Sequence, residues 1–508
     1  MKFSKITKAK NVSILGEKVT LTPLVGLVLL VILLRIPSLF EPYWYGDEGI
    51  YLTLGEGIKQ GLVLYKDMFD HKPPAIYLIA AIAGSLFWFK LTLLIWHTTT
   101  VVLFWKLTEK VFETNKKALL LANTIFILLT TLPLLEGNIV NSELFMIGST
   151  IPALLIIFSK KETPKNLFLA GALFSISTLF KVPAIFDFLA LCTFLIFTIS
   201  TKKEILKTGR NILLLTIGLV SPALVSVLYY WSQGSLTQYL DTAWTQNFTY
   251  ISQWSTPSVT FISTLAQAGL TTRAIIFSII IFLLFIFKHR FDKITLFASL
   301  WFTFALFASL LSGRPYPHYI IQVVPPLALL IAILSFGKEK FRFLPVPFLI
   351  LFVFTLSFYQ FGYYRSTTYY ENFLKFATGQ KDKKAYFEYF DKRTPLIYEL
   401  GEIITNRTSK NDRIFIWGTM PELYALSHRV PSGRYTTSFH ISDFNRTSET
   451  LQSLEENKPK YILIVQEEKR SFPGFYSFLQ KNYLYLETVG GVEIWKRTSP
   501  GILKALSV

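Results

Sequence analysis

The chain is short of three things. It carries a single cysteine, Cys192, among 508 residues, so no disulfide framework can form within it. It is poor in charge: Asp, Glu, Lys and Arg make up 17% of residues, against roughly 25% in an average soluble protein. It is poorest in acids, with 33 Asp and Glu against 51 Lys and Arg. Sparse charge combined with 51% hydrophobic residues excludes one soluble globular domain and indicates a polytopic membrane protein with a soluble portion. The net charge of +18 does not imply nucleic acid, because the basic residues collect in short segments between apolar runs. Also missing is any glycine spacing of the dinucleotide or phosphate-loop kind. The strand-to-helix turn Trp417-Gly418-Thr419-Met420-Pro421 lacks it, so no nucleotide cofactor is expected. There are no internal repeats or low-complexity tracts.

What the chain does have is a series of apolar stretches near the roughly 20 residues that cross a bilayer. Eleven candidates lie at about 21–39, 88–106, 118–135, 143–159, 166–180, 183–200, 211–231, 272–287, 294–312, 318–336 and 343–362. No small-residue cleavage site follows the first, which therefore reads as a retained span. Basic clusters occur at Lys2–Lys18, Lys106–Lys117, Lys160–Lys165, Lys202–Arg210, Lys288–Lys293 and Lys338–Arg342. If all of them face the cytoplasm, the spans alternate without contradiction. Residues 75–87 are then a non-spanning helix, the N-terminus is cytoplasmic, and the C-terminal segment is extracytoplasmic, at the plasma or inner membrane. Four polar stretches share the outer side: 40–74, Glu136–Glu143, 232–271 and Gly313–His318.

Composition changes after about residue 365. The stretch 366–412 is polar and partly helical. Arg413–Trp417 and Tyr461–Val465 read as short buried strands, with helical patterns at Pro421–Ser427 and Ser448–Glu456. The end of the chain reads as a hairpin across Gly490-Gly491. The expected fold class is thus an α-helical polytopic membrane protein with about 11 spans and an interfacial helix (1–364), followed by a small extracytoplasmic α/β domain (365–508).

The densest polar stretch is Tyr45–Pro74, which opens on Asp47-Glu48 and closes on His71-Lys72-Pro73-Pro74. Ionisable groups beside a span are costly unless they meet water, ions or substrate, which marks this stretch as a functional site. Gly46-Asp47-Glu48 after a first span, followed by Leu64–Pro74 (LYKDMFDHKPP), resembles the GT-C fold membrane glycosyltransferases of the protein O-mannosyltransferase and aminoarabinose-transferase type. Phe180-Lys181-Val182-Pro183, Pro317-His318-Tyr319 and Pro325-Pro326 fit that resemblance more weakly; it covers roughly residues 20–335. It implies a sugar donor linked to polyprenyl phosphate and an acceptor that is a lipid, a glycan or a protein. It also assigns the catalytic acid of the first outer loop to Asp47.

The chemistry leads the same way. An attacking hydroxyl needs a carboxylate base, and a departing lipid phosphate needs positive charge. Asp47 suits the base, and direct displacement would invert the anomeric centre. Lys72, Arg314, His318, Tyr319 and Lys181 are the candidates for the phosphate and donor. Glu48 would support Asp47, the acceptor or a metal. Glu143 fits the second acid that relatives carry at the outer start of the following span; Glu136 is the other choice. Arg35 reads as an interfacial anchor that snorkels, with phosphate contact as its other role. Asp47, Glu48, His71 and His318 are candidate ligands of a divalent metal, although an acid stands in the relatives where this chain has His71.

Blander readings compete with each of these. Acid pairs in outer loops are often merely solvated, Lys72 could be an interfacial anchor, and Arg314 and His318 flank a proline-rich span start. His97 and His289 read as structural. Aromatic residues at span ends read as membrane-interface belts. The aromatic stretch around Tyr239, Trp244, Tyr250 and Trp254 reads as a cover over a cavity, or a grip on acceptor or lipid, and Asn247-Phe248-Thr249 as a chance sequon. The nearest rival function is a polysaccharide ligase or polymerase using lipid-diphosphate donors. A lipid or solute transporter would place charges near mid-membrane in repeated halves, which is not the pattern here, and a non-catalytic scaffold would tolerate changes at Asp47 and Lys72.

Overall fold

The computed structural model describes residues 11–14, 17–246 and 269–498. The sequon at Asn247, the aromatic residues Tyr250 and Trp254, and most of the basic N-terminal run lie outside the described residues. By its internal contacts the chain forms two compact units. One comprises Met1–Ile36, Leu93–Ser226 and Phe248–Ser366; the other comprises Pro37–Thr92, Val227–Asn247 and Thr367–Val508.

The first unit is helical apart from a hairpin of β1 (Asn11–Ile14) and β2 (Glu17–Thr20). Its helices are α1 (Leu21–Arg35), most of α4 (Leu86–Phe112), α5 (Lys116–Thr131), α6 (Ser142–Ser159), α7 (Pro164–Phe180), α8 (Ile185–Phe197), most of α9 (Lys202–Ser232), and Leu270–Phe287, Lys293–Ser309, Val324–Phe336 and Val346–Phe358. Each of the eleven predicted stretches falls on one of these helices. Among the described residues, six helices are long and apolar enough to cross a membrane: Pro23–Phe40, Leu86–Phe112, Ser142–Ser159, Lys202–Ser232, Leu270–Arg290 and Pro317–Phe336. The chain is a multi-pass membrane protein.

Several basic loops end in a side-chain cap. Asn115 accepts from the Ala118 amide (3.1 Å), Thr163 from Asn166 (3.3 Å) and Asp292 from Thr295 (2.6 Å), each satisfying an amide that the first helical turn leaves unpaired. Helices approach closely where side chains are absent: a Cβ on Gly171 would lie 2.0 Å from the Leu215 carbonyl oxygen, and one on Gly218 2.1 Å from that of Phe168. A carboxylate sits inside this bundle. Asp187 accepts from Trp301 Nε1 (2.9 Å) and Gln322 Nε2 (3.2 Å), so its burial is matched by donors.

The second unit joins the first polar loop to the C-terminal region. It contains α2 (Gly46–Lys59), α3 (Ala75–Ala83) and a four-stranded sheet of β3 (Ile414–Trp417), β4 (Tyr461–Val465), β5 (Tyr483–Val489) and β6 (Val492–Arg497). The sheet order is β3-β4-β6-β5, with β3 and β4 parallel and the other neighbours antiparallel. Gly490 and Gly491 carry the hairpin turn at φ 55° and 80°, the two positive angles such a turn requires. Alternation splits the strands between two cores. Phe415, Trp417, Ile462 and Ile464 face one, and Ile414, Ile416, Tyr461 and Leu463 face the other. Phe69, from the first loop, is part of the former core.

Within the 75–87 stretch, α3 has only nine residues and is ended by Gly84 in the left-handed region (φ 68°), too short to span. Helix α2 packs through its glycines. A Cβ on Gly55 would lie 2.6 Å from the Ala81 nitrogen, and one on Gly49 2.7 Å from that of Glu422. Thr53 Oγ1 donates to the Pro421 carbonyl (3.2 Å), so α2 is tied to the helix Pro421–Ser427.

Glu422 is buried beneath the start of α2. Burial pushes its carboxyl up to about 7, with Asp391 and Glu48 adding to the rise and Arg393 opposing it. The folded state therefore holds a proton that the unfolded chain releases nearer pH 4.5, and stability falls as pH rises from there toward 7. Glu422→Gln is expected to raise the unfolding temperature at pH 8 and leave it nearly unchanged at pH 5; an equal shift at both values would refute this.

Candidate functional site

The first turn of α2 sends two adjacent acids in different directions, because neighbours on a helix are about 100° apart. Asp47 Oδ2 accepts from Tyr51 OH (2.9 Å), one turn on, and from Lys72 Nζ (3.2 Å). Lys72 also lies 3.9 Å from Asp70 Oδ2 and 5.0 Å from the Tyr51 ring centre. Glu48 turns inward. Its Oε1 is 2.7 Å from Lys90 Nζ, which also meets Glu41 Oε2 at 2.9 Å, with all three side chains out of solvent. Glu41 accepts further from Tyr369 OH (2.6 Å) and Trp44 Nε1 (3.2 Å).

The loop before Lys72 is equally ordered. Asp70 is buried, and its carboxylate accepts from Tyr77 OH (2.7 Å) and the His71 amide (2.8 Å). Burial alone would raise its pKa, but Lys72, His71 and His440 hold it well below the usual carboxylate range. Asp70, His71 and His440 bring one ligand atom each to within 4.8 Å of one another. His440 is buried, its Nδ1 has no hydrogen-bond partner, and burial pushes it down to about 4, which keeps the imidazole neutral and able to ligate.

In the helical unit a second constellation forms from three loops. Glu136 follows the short turn Pro133–Leu135, Glu143 sits in the first turn of α6, and Lys181 follows α7. Lys181 is ion-paired to Glu143 and lies 3.8 Å from the Tyr319 ring centre. His318 Nδ1 is 2.5 Å from Glu136 Oε2, and its Nε2 is 3.8 Å from Glu143. Asn141 also donates to Glu136 (3.1 Å). The polar stretches 136–143 and 313–318 are thus joined.

The sequence-predicted residues sort as follows. Asp47 is brought together with Lys72. Glu136, Glu143, Lys181, His318 and Tyr319 form the other group. Arg314 lies in the loop before Pro317, partly buried. Arg35 does not snorkel: it is buried, donating to His97 Nδ1 (3.2 Å) and to the Thr130 carbonyl at the end of α5 (3.0 Å). The proposed metal ligands have partners of other kinds. Asp47 is engaged by Lys72 and Tyr51, Glu48 by Lys90 and His318 by Glu136; among the described residues, His71 is the one that joins a ligand group, with Asp70 and His440. His440 lies 370 positions downstream of Asp70, and nothing local in the sequence marks it. Lys90 falls inside the apolar run 88–106, and a lone lysine within a span is the signal that marks it.

These helices, loops and the appended sheet define a membrane protein of the GT-C fold. No protein-family model matches the chain, and no curated protein matches it in sequence. Solved structures are similar to it. ArnT from Cupriavidus metallidurans, bound to undecaprenyl phosphate, aligns over 94% of this chain and 97% of its own, with a TM-score of 0.56 at 12% identity. The oligosaccharyltransferase AglB from Archaeoglobus fulgidus, in complex with an inhibitory peptide and a dolichol-phosphate, covers 94% of this chain and 74% of its own, with a TM-score of 0.44 at 12% identity.

Removing one member of a buried ion group leaves the rest uncompensated, at a cost of about 3–5 kcal/mol. Lys90→Met is expected to lower the unfolding temperature steeply, and adding Glu48→Gln to recover part of the loss. A single variant as stable as wild type would show that the Glu41–Lys90–Glu48 group contributes little.

Proposed function

We propose that this chain is a membrane glycosyltransferase that moves a sugar from a polyprenyl-phosphate donor to an acceptor (lipid, glycan or protein) outside the cytoplasm. The observation that carries the reading is the Asp47–Lys72 pair, a half-exposed carboxylate 3.2 Å from an ammonium on a proline-bounded loop. The GT-C fold, shared with a protein whose structure holds undecaprenyl phosphate, supports it.

In this reading the acceptor hydroxyl attacks the anomeric carbon and Asp47 takes its proton. The bond from that carbon to the phosphate oxygen breaks, and the electron pair leaves on the lipid phosphate, whose charge Lys72 neutralises. Asp47 and the phosphate compete for Lys72. Donor binding draws the ammonium away and frees Asp47 to act as base, while Tyr51 keeps it oriented. The anomeric centre is inverted. Within the helical unit, Lys181, His318, Tyr319 and Arg314 are the candidates for binding phosphate, with Glu143 and Glu136 holding the first two in place. Glu48 orients the first turn of α2 through Lys90. Residues 1–364 form the transmembrane part with a cytoplasmic N-terminus, and 365–508 the extracytoplasmic domain.

A divalent cation fits Asp70, His71 and His440, a carboxylate and two imidazoles that suit zinc-like ions. When bound it would add positive charge beside Lys72. Chelator-treated protein is expected to take up about one equivalent of Zn²⁺ by titration calorimetry, and His440→Ala to lose it. Uptake that survives His440→Ala would refute the site.

Asp47→Asn is expected to abolish release of free polyprenyl phosphate from polyprenyl-phosphate sugars, read by mass spectrometry, in a folded protein that still binds donor. Equal release from both would move the base elsewhere. Release only from lipid-diphosphate donors would favour a polysaccharide ligase or polymerase.

A further inference from the structure

Lys72 is held by its backbone as well as by its side chain. Its amide donates to Tyr77 OH (3.3 Å), and its carbonyl accepts from Tyr65 OH (2.8 Å). Pro73 follows directly and fixes the next peptide unit. Both tyrosines are fully buried. Tyr77 OH in turn donates a hydrogen bond to Asp70 (2.7 Å), so one hydroxyl links the lysine amide to the acid beside the ammonium.

Tyr65 is unusual in a second way. It is a bulky residue in the left-handed region, with φ 69°. That conformation is disfavoured for any side chain with a Cβ, and it persists only where surrounding structure imposes it. Here the surroundings are plain. The Tyr65 amide donates to the Met68 carbonyl (2.8 Å), and its carbonyl accepts from Arg434 Nη2 (2.7 Å). Its ring packs against Tyr230 and Tyr239, at 5.2 and 5.3 Å between centres. A strained backbone locked on both sides and from above delivers one hydroxyl to one carbonyl. Glycine would adopt this φ without strain, but it would carry no hydroxyl and no ring.

We infer that Tyr65 and Tyr77 are positioning residues that clamp the Lys72 backbone, so that its ammonium is presented ready-made to a lipid phosphate. This rests on the lipid-phosphate reading of the site and deepens it. The physical gain is preorganisation. A lysine side chain has four rotatable bonds, and a mobile backbone beneath it would add more freedom to be lost when phosphate binds. Holding the Cα at amide and carbonyl removes that part of the cost before the ligand arrives. Tyr51, by contrast, meets the side chains of Asp47 and Lys72 and acts at the reacting end.

The test uses the full-length protein in detergent or nanodiscs, with polyprenyl phosphate alone as probe, so that catalysis is not needed. Tyr65→Phe keeps the ring and its packing and removes one hydroxyl. It is expected to weaken binding roughly five- to tenfold, the scale of one hydrogen bond, with a small fall in unfolding temperature that leaves the protein folded at the assay temperature. In turnover, the same variant is expected to raise KM for donor while kcat falls less. Tyr65→Phe made in a Lys72→Met background is expected to cause no further loss of binding, because the clamp acts only through Lys72. Unchanged binding by Tyr65→Phe, or an equal extra loss in the Lys72→Met background, would overturn the clamp. Wild type that binds no polyprenyl phosphate would overturn the lipid-phosphate reading itself, and the clamp with it.

Discussion

A charge taken out of water must find its opposite nearby, and this constraint organises the second unit. Lys90 holds Glu41 and Glu48 within hydrogen-bonding distance, with all three side chains buried. Because Glu48 is fixed inward, Asp47, the next residue back, is turned about a helical step away, toward Lys72. The same anchor reaches forward along the chain, since Glu41 also accepts from Tyr369, more than three hundred residues later. One lysine thus sets the rotation of α2 and ties the first loop to the C-terminal region.

Around that anchor, small residues do what large ones cannot. Gly49 and Gly55 leave the surface of α2 bare where the backbones of Pro421–Glu422 and Ala80–Ala81 press against it. Phe69 then inserts into one of the two cores flanking the sheet, and the Phe69 amide donates to the Arg434 carbonyl (2.8 Å). The loop that carries Asp70, His71 and Lys72 is therefore part of a folded unit and not a solvated connection. That ordering lets a carboxylate as buried as Asp70 stay ionised, because three cationic or polar neighbours are held in place around it. In the helical unit the same rule pairs Glu143 with Lys181 and Glu136 with His318.

Much of this was legible in the sequence, for identifiable reasons. Apolar runs of span length can form only helices in a bilayer, so each of the eleven stretches became one. Ile414–Trp417 and Tyr461–Val465 are short β-branched and aromatic runs, and Gly490-Gly491 supplies a turn that few other pairs allow, so the sheet was readable as well. The motif around Asp47 and Lys72 was visible because charges beside a span are rare. Arg35 misled, since a cation at a span end normally snorkels; here His97 and a free carbonyl at the end of α5 offered acceptors inside.

The sequence by itself determined the class of structure: which segments are helices, where the sheet lies, and which short stretches hold the clustered charges. Those properties depend on local composition and periodicity. Only the tertiary structure decided which charge meets which. The partnership of Glu48 with Lys90, the meeting of His440 with Asp70 and His71, and the hold of Tyr65 on Lys72 all join residues whose pairing no local pattern encodes. Each partner was selected by the cost of leaving a buried polar group unmet, and that cost exists only once the chain has packed.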